Sequence, residues 1–209
     1  MIQFFAWPTP NCRKVSILLE ELAVPYEVHA VDIGKDQQFA PDFLAISPNN
    51  KVPAIYDDET GVKQFESGAI LIYLAEKFGK FLPASVAERA DVLQWLMWQM
   101  GGLGPIAGQG HHYLKFNPGV SDYTDARLKT EINRLYGVLN TQLKGRAFIC
   151  GDYSIADMAI WPWVARYEWH QADLNAFPNV QKWYRTLRAR DAVQRGYHVP
   201  SETAEIPLG

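Results

Sequence analysis

Cysteine is almost missing from this 209-residue chain, which has only Cys12 and Cys150. Two cysteines cannot build a disulfide framework or a cysteine-rich zinc site, and so sparing a use fits a reducing cytoplasm. Positive charge is not in excess either: 20 Lys and Arg stand against 23 Asp and Glu, a net charge of −3. Seven basic and eleven acidic residues precede Pro83, and thirteen and twelve follow it. Neither part carries the surplus that a phosphate backbone demands, which excludes nucleic acid as a partner. A long apolar run is also lacking. The longest stretch without formal charge, between Asp91 and Lys115, contains Gln94, Gln99, Gln109, Pro105 and five glycines. That composition rules out a bilayer helix and a membrane partner. The opening Met1-Ile2-Gln3-Phe4-Phe5 has neither the basic start nor the long apolar core of a secretory leader. The expectation is a cytoplasmic protein.

What is present is ordinary globular material, 48% hydrophobic and 21% charged, enough for one large domain or two small ones. The two parts follow different patterns. Ile2–Ala6 is a short apolar run ended by Pro8 and Pro10, the mark of a strand and a tight turn. Val15, Leu18, Leu19 and Leu22 have helical spacing, closed by Pro25, and 26–32 alternates as a second strand. A short helical stretch holds Phe39, Phe43 and Leu44. The segments 52–56 and 62–65 flank Asp57-Asp58-Glu59-Thr60-Gly61 as a hairpin, and Ser67–Phe78 resumes a helix. Strand, helix, strand, helix, strand, strand, helix is the thioredoxin arrangement. After Leu82-Pro83 the strands cease. Leu128, Ile132, Leu135 and Leu139 make a clean helical stripe, Ser154-Ile155-Ala156-Asp157 predicts an N-cap at Ser154, and Pro178 opens a last helix with Val180, Trp183, Tyr184 and Leu187. The reading is an α/β thioredoxin-like domain over 1–82 and an all-α domain over 86–200, with a loose tail from Pro200 onward.

Thioredoxin-like folds work at the turn between first strand and first helix, where C-P-x-C places a thiolate on a helix N-terminus. Here the four residues are Thr9-Pro10-Asn11-Cys12. A threonine hydroxyl with no neighbouring base is a poor nucleophile. Thr9 and Asn11 can nevertheless donate hydrogen bonds to a thiolate, so the turn is suited to holding a sulfur it does not supply. In the same way Glu66-Ser67, between a strand and a helix, suits a ligand carrying both a carboxylate and an ammonium.

The chain resembles the glutathione transferase superfamily, most closely the bacterial Nu class. The resemblance rests on Thr9-Pro10-Asn11, Ser47-Pro48-Asn49-Asn50-Lys51-Val52-Pro53-Ala54-Ile55 and Phe65-Glu66-Ser67-Gly68-Ala69-Ile70. Gln94-Trp95, Gly101-Gly102-Leu103-Gly104-Pro105, Gly108-Gln109, His111-His112 and Tyr153-Ser154-Ile155-Ala156-Asp157 extend it. It implies glutathione as co-substrate, no metal, and a glutathione thiolate stabilised by Thr9 and Asn11. Glu66 and Ser67 would hold the γ-glutamyl end, and Val52, before an expected cis Pro53, would pair with the cysteinyl part. Gln38 and Lys51 would contact the glycine end. Arg127 would reach in from the partner of a homodimer. The implied activity is glutathione-dependent disulfide reduction, with conjugation and peroxide reduction beside it. The alternatives are a detoxifying conjugating transferase, a non-catalytic scaffold, or a transferase whose nucleophile is Cys12.

Trp7, Cys12, His111 and His112 are candidates for a second-substrate pocket. Each also has a plainer reading. Cys12 can be a small buried residue, and Cys150 core packing. Adjacent His111 and His112 point in different directions on a helix and cannot chelate a metal as an i, i+4 pair does. Trp95, Trp98, Trp161, Trp163 and Trp183 read as core, and Arg185, Arg188, Arg190 and Arg195 as a solvated face.

Overall fold

A computed structural model describes residues 1–201 and 205–209. The chain divides into two compact units, Met1–Leu82 with Arg190–Ile206, and Pro83–Ala189 with Pro207–Gly209.

In the first unit β1 (Ile2–Ala6), α1 (Pro10–Leu22), β2 (Tyr26–Ala30), α2 (Pro41–Leu44), β3 (Ala54–Asp57), β4 (Lys63–Phe65) and α3 (Ser67–Phe78) follow in the expected order. The sheet runs β2-β1-β3-β4. β1 is parallel to β2 and antiparallel to β3, and β3 is antiparallel to β4. Register brings three of the candidate segments together. Phe5 pairs with Ala54 and Ala54 with Phe65. The end of β1, the start of β3 and the end of β4 therefore share one edge of the sheet, and the segments 7–9, 52–53 and 66–67 all issue from it.

The sequence reading assigned everything to residue 200 to the helical domain. The structure instead adds α9 (Asp191–Tyr197), which groups with the first unit. It docks on α1 through backbone. A Cβ on Gly196 would lie 2.7 Å from both Cα and N of Ile17, so only glycine allows this approach. The Ser16 hydroxyl donates to the Gly196 carbonyl at 2.6 Å, and Arg13 Nε to the Tyr197 carbonyl at 3.0 Å. Arg185 and Arg195 are exposed, as a solvated face requires, while Arg190 is half-buried; Arg190 and Arg195 also pair with Glu21 and Glu20 at 2.7 and 2.6 Å.

The second unit holds α4 (Val86–Trp98), α5 (Gly104–Gly110), α6 (Asp122–Gln142), α7 (Ile155–Val164) and α8 (Pro178–Arg188). Two π-helical turns, Gln99–Leu103 and His111–Phe116, carry the chain from α4 through α5 without leaving helical geometry. The predicted stripe of α6 is buried, as is that of α8. Trp161, Trp163 and Trp183 are core, whereas Trp95 and Trp98 are half-buried and meet edge to face at 5.2 Å. Of the tail expected to be loose, 202–204 lie outside the described residues. Beyond them, Tyr184 Oη donates to the Pro207 carbonyl at 2.8 Å and Arg185 Nε to that of Gly209 at 2.9 Å.

Candidate functional site

The first turn is built around Thr9. Pro10 takes the first position of α1, where its fixed φ suits a helix and its missing N–H is no loss. Thr9 is the N-cap, extended at φ −115° and ψ 155°, and its Oγ1 accepts the Cys12 N–H at 3.2 Å. As the acceptor in that bond, the hydroxyl still has a hydrogen to donate, and the Cys12 side chain is one neighbour within its reach. Asn11, one residue into the helix, is half-buried. Cys12 is 0% exposed, and its Sγ accepts the Trp7 N–H at 3.4 Å. Burial pushes this thiol up to about 11, against the pull of the Thr9 hydroxyl, the Trp7 N–H and Arg13. It is a buried thiol, packed in the helix rather than lining a second-substrate pocket. Trp7 is half-buried, and its carbonyl accepts the Thr9 N–H at 2.6 Å.

Across the same sheet edge, α3 begins at Ser67. Its N-cap is Glu66, an exposed residue at φ 69° and ψ 110° that makes no side-chain capping bond. A positive φ is unfavourable for a side-chain-bearing residue, and such strain collects where a site over-determines the backbone. Ser67 is 4% exposed, and its Oγ accepts from Lys14 Nζ at 3.2 Å. Lys14 is itself 1% exposed. Burial lowers its ammonium to about 7, opposed by attraction to Glu66 and Cys12. The sequence reading overlooked Lys14. It stands four residues before Leu18, on the buried stripe of α1, and that misplacement of a charge was the available signal.

The third segment enters β3. Val52-Pro53 is cis, as expected, with Pro53 buried, Val52 half-buried and Lys51 exposed. The Ser47 hydroxyl donates to the Lys51 carbonyl at 2.8 Å and ties the loop to its own start. Gln38 lies in the short 3-10 turn Gln37–Phe39, and its Oε1 is buried without a partner among the described residues. Thr9, Asn11, Gln38, Lys51, Val52, Pro53, Glu66 and Ser67 thus all belong to the first unit, and register explains why three of their segments converge.

The remaining candidates belong to the second unit. Arg127 is exposed on α6. His112 is exposed and its ring meets Tyr113 edge-on at 4.8 Å. His111 turns inward, as the divergence of adjacent helical residues requires. It stacks on Trp163 at 5.4 Å and on His170 at 5.0 Å, with Nε2 3.0 Å from Nε2 of His170. His170 in turn meets the Tyr136 hydroxyl through Nδ1 at 2.9 Å. Burial lowers His111 to about 4 and holds His170 well below its ordinary value, so both rings are neutral at ordinary pH. Among the described residues no group of three or more His, Cys, Asp or Glu could hold a metal ion, and no helix is long and apolar enough to cross a membrane.

Two family patterns match the chain: glutathione S-transferase, N-terminal domain, over residues 4–83, and glutathione S-transferase, C-terminal domain, over 104–191. The disulfide-bond oxidoreductase YfcG of Escherichia coli is 47% identical over 198 residues, 92% of either chain. The chain belongs to the glutathione S-transferase family. Among solved transferases, one from Pseudomonas putida with one glutathione disulfide bound per subunit superposes with a TM-score of 0.91 at 43% identity, covering 96% of this chain and 92% of that one. A family member from Pseudomonas fluorescens with two glutathione bound gives 0.91 and 43% over 95% and 93%. The thioredoxin-like and all-helical architecture read from the sequence is that of a glutathione S-transferase. Within that fold, this member carries a buried cysteine at the fourth residue of its first turn.

Proposed function

We propose that this protein is a glutathione-dependent disulfide reductase in which glutathione is a co-substrate and supplies the reacting sulfur. One observation carries the reading: the protein's own sulfur at the turn, Cys12, is wholly buried and held as a thiol, while the half-buried Thr9 and Asn11 of the same turn carry hydrogen-bond donors. Thr9, Asn11 and the N-terminus of α1 stabilise the glutathione thiolate. A free thiol ionises near ~8.5, and each unit of lowering corresponds to about 1.4 kcal/mol of preference for the thiolate. Ser67 and Glu66 hold the γ-glutamyl carboxylate and ammonium, Val52 pairs with the cysteinyl backbone beside Pro53, and Gln38 and Lys51 meet the glycine end. The buried Oε1 of Gln38 suits a donor from that end.

The thiolate attacks one sulfur of the substrate disulfide, releasing one thiol and leaving a mixed disulfide with glutathione. A second glutathione then attacks the glutathione sulfur of that mixed disulfide, giving glutathione disulfide and the second thiol. The oxidoreductase name of YfcG, the glutathione disulfide bound to the Pseudomonas putida protein and the two glutathione bound to the Pseudomonas fluorescens protein support this reading. Conjugation and peroxide reduction are minor accompanying activities. The working form is a cytoplasmic homodimer with Arg127 supplied by the partner subunit. An apolar groove of about 600 Å³ lined by Trp95, Arg134, Gly137 and Val138, with Met97 exposed beside Trp98, supports a subunit contact there.

The test compares glutathione-dependent reduction of a small synthetic disulfide with conjugation of an electrophilic aromatic chloride. Fast reduction and slow conjugation are expected. Cys12→Ser should retain most of the turnover, and Thr9→Ala should raise its pH midpoint. Loss of turnover in Cys12→Ser would transfer the chemistry to the protein's own thiol and overturn the assignment.

A further inference from the structure

We propose that Lys14 is a positioning residue for the glutathione carboxylate: its buried ammonium fixes Ser67 as a donor and places a positive charge behind the N-terminus of α3. The inference rests on the glutathione reading and deepens it. An ammonium has three donors and no acceptor, so in the 3.2 Å contact Ser67 Oγ must be the acceptor. The Ser67 hydroxyl hydrogen is thereby directed away from Lys14. The N-terminus of α3 already favours an anion through its dipole and N–H groups. A cation behind it, in surroundings that screen poorly, adds to the same potential.

The placement is costly for a structural lysine and sensible for a binding one. Nearby charge comes from each packed element. On α3 it is Glu66, whose carboxylate is exposed. On α1 itself it is Cys12, held as a thiol, and Arg13, whose guanidinium lies 3.6 Å from the Tyr197 ring centre. On α9, Arg195 and Arg190 are committed to Glu20 and Glu21, at the far end of α1. In β3, Asp57 is engaged by Lys77. With the ammonium lowered to about 7, Lys14 of the free protein is partly neutral at ordinary pH. An arriving carboxylate favours the charged form, so binding takes up a proton. The sign follows: below pH 7 the charge is already present and affinity is flat, while above it affinity falls by up to roughly tenfold per pH unit until the bound-state pKa is passed.

The test is calorimetric titration of the full-length protein with S-methylglutathione, whose blocked thiol cannot titrate, from pH 6 to 8.5 in two buffers of different ionisation heat. The wild type should show proton uptake rising from near zero at pH 6 to more than half a proton per site at pH 8. Lys14→Met should bind at least about tenfold more weakly at pH 6, take up no proton, and melt at a higher temperature without ligand, because a buried charge has been removed. A lysine that only packed would not give that combination. Lys14→Arg, charged throughout, should keep its affinity and lose the pH dependence. Tight wild-type binding without proton uptake, or unchanged affinity in Lys14→Met at pH 6, would overturn the inference and leave the glutathione reading standing. Failure of the wild type to bind would remove both. The wild-type proton count stands even where a variant does not fold.

Discussion

The N-termini of α3 and α7 meet the same physical problem, backbone N–H groups without helical partners, and answer it in opposite ways. At α7 the answer is internal. The Ser154 hydroxyl accepts the Ala156 N–H at 3.3 Å, and Asp157 Oδ2 accepts the Ser154 N–H at 3.1 Å, a capping box. Asp157 Oδ1 also accepts from the Ile149 N–H at 3.0 Å and from Trp183 Nε1 at 2.8 Å, all inside the protein. At α3 the N-cap makes no side-chain bond, its backbone sits at positive φ, and a buried lysine lies beneath. One terminus is closed to hold a fold together. In the proposed reading the other is kept receptive to an anion, with strain of order 1–3 kcal/mol at Glu66 as the accompanying cost.

The comparison can be broken most strongly at α7. Asp157→Ala removes the acceptor for four buried donors at once, the N–H groups of Ile149 and Ser154, the Ser154 hydroxyl and Trp183 Nε1, and each such loss costs about 1–3 kcal/mol. We expect a stability loss of at least about 3 kcal/mol, read as a fall in the urea midpoint; less than about 1 kcal/mol would mean that the network is ornamental. Ser67→Ala should do the converse. Glutathione affinity should fall by about ten- to a hundredfold, since a bond to a charged group contributes about 1.5–3 kcal/mol. Stability should move by less than about 1 kcal/mol, because Lys14 can release its proton rather than remain charged without that acceptor. Equal effects on folding and binding would erase the distinction between the two helix ends. A smaller and sharper case is Glu66→Gly. Glycine accepts φ 69° without strain, so the variant should gain about 0.5–1 kcal/mol in stability while binding glutathione more weakly. A loss of stability would show that the Glu66 backbone is not strained.

The same contrast explains how much was legible from residues alone. Ser154-x-x-Asp157 is a local pattern whose partners lie within three residues, and it could be read directly. So could the α6 stripe, the hairpin and the Thr9 turn, because each follows from neighbouring residues. What escaped reading was set by distant partners. α9 docks by backbone, through Gly196 against Ile17, and contributes no apolar stripe long enough to announce itself. The chain from Val86 to Phe116 stays helical through two π turns, although residues 101–110 include five glycines. Lys14 was passed over although it stands on the apolar stripe of α1, because its partner, Ser67, lies fifty-three residues away. The partner of His111 is His170, fifty-nine residues away.

That histidine pair gives the last and smallest test, and it lies wholly on the closed side of the comparison. In the folded protein burial lowers His111 to about 4 and holds His170 well below its ordinary value, whereas an unfolded histidine titrates at about 6.5. Between these values the unfolded chain binds more protons, so stability is present above about pH 6.5 and is lost as pH falls toward 4. Asp157 works in the other direction: burial raises its carboxyl to about 6, so protonation between about 6 and 4 favours the folded form. Two histidines against one carboxyl leave a net loss on acidification. The Nε2–Nε2 contact at 3.0 Å requires one nitrogen to donate and the other to accept, and two imidazolium rings cannot satisfy it. His111→Phe retains a flat ring against Trp163 and deletes one titrating group. It should flatten the decline in stability between pH 6.5 and 5 by about 1 kcal/mol, measured by urea denaturation at each pH. S-methylglutathione affinity should keep its own pH profile, since that profile is assigned to Lys14. A wild-type stability that does not change between pH 6.5 and 5 would mean that the pair is not held neutral by the fold.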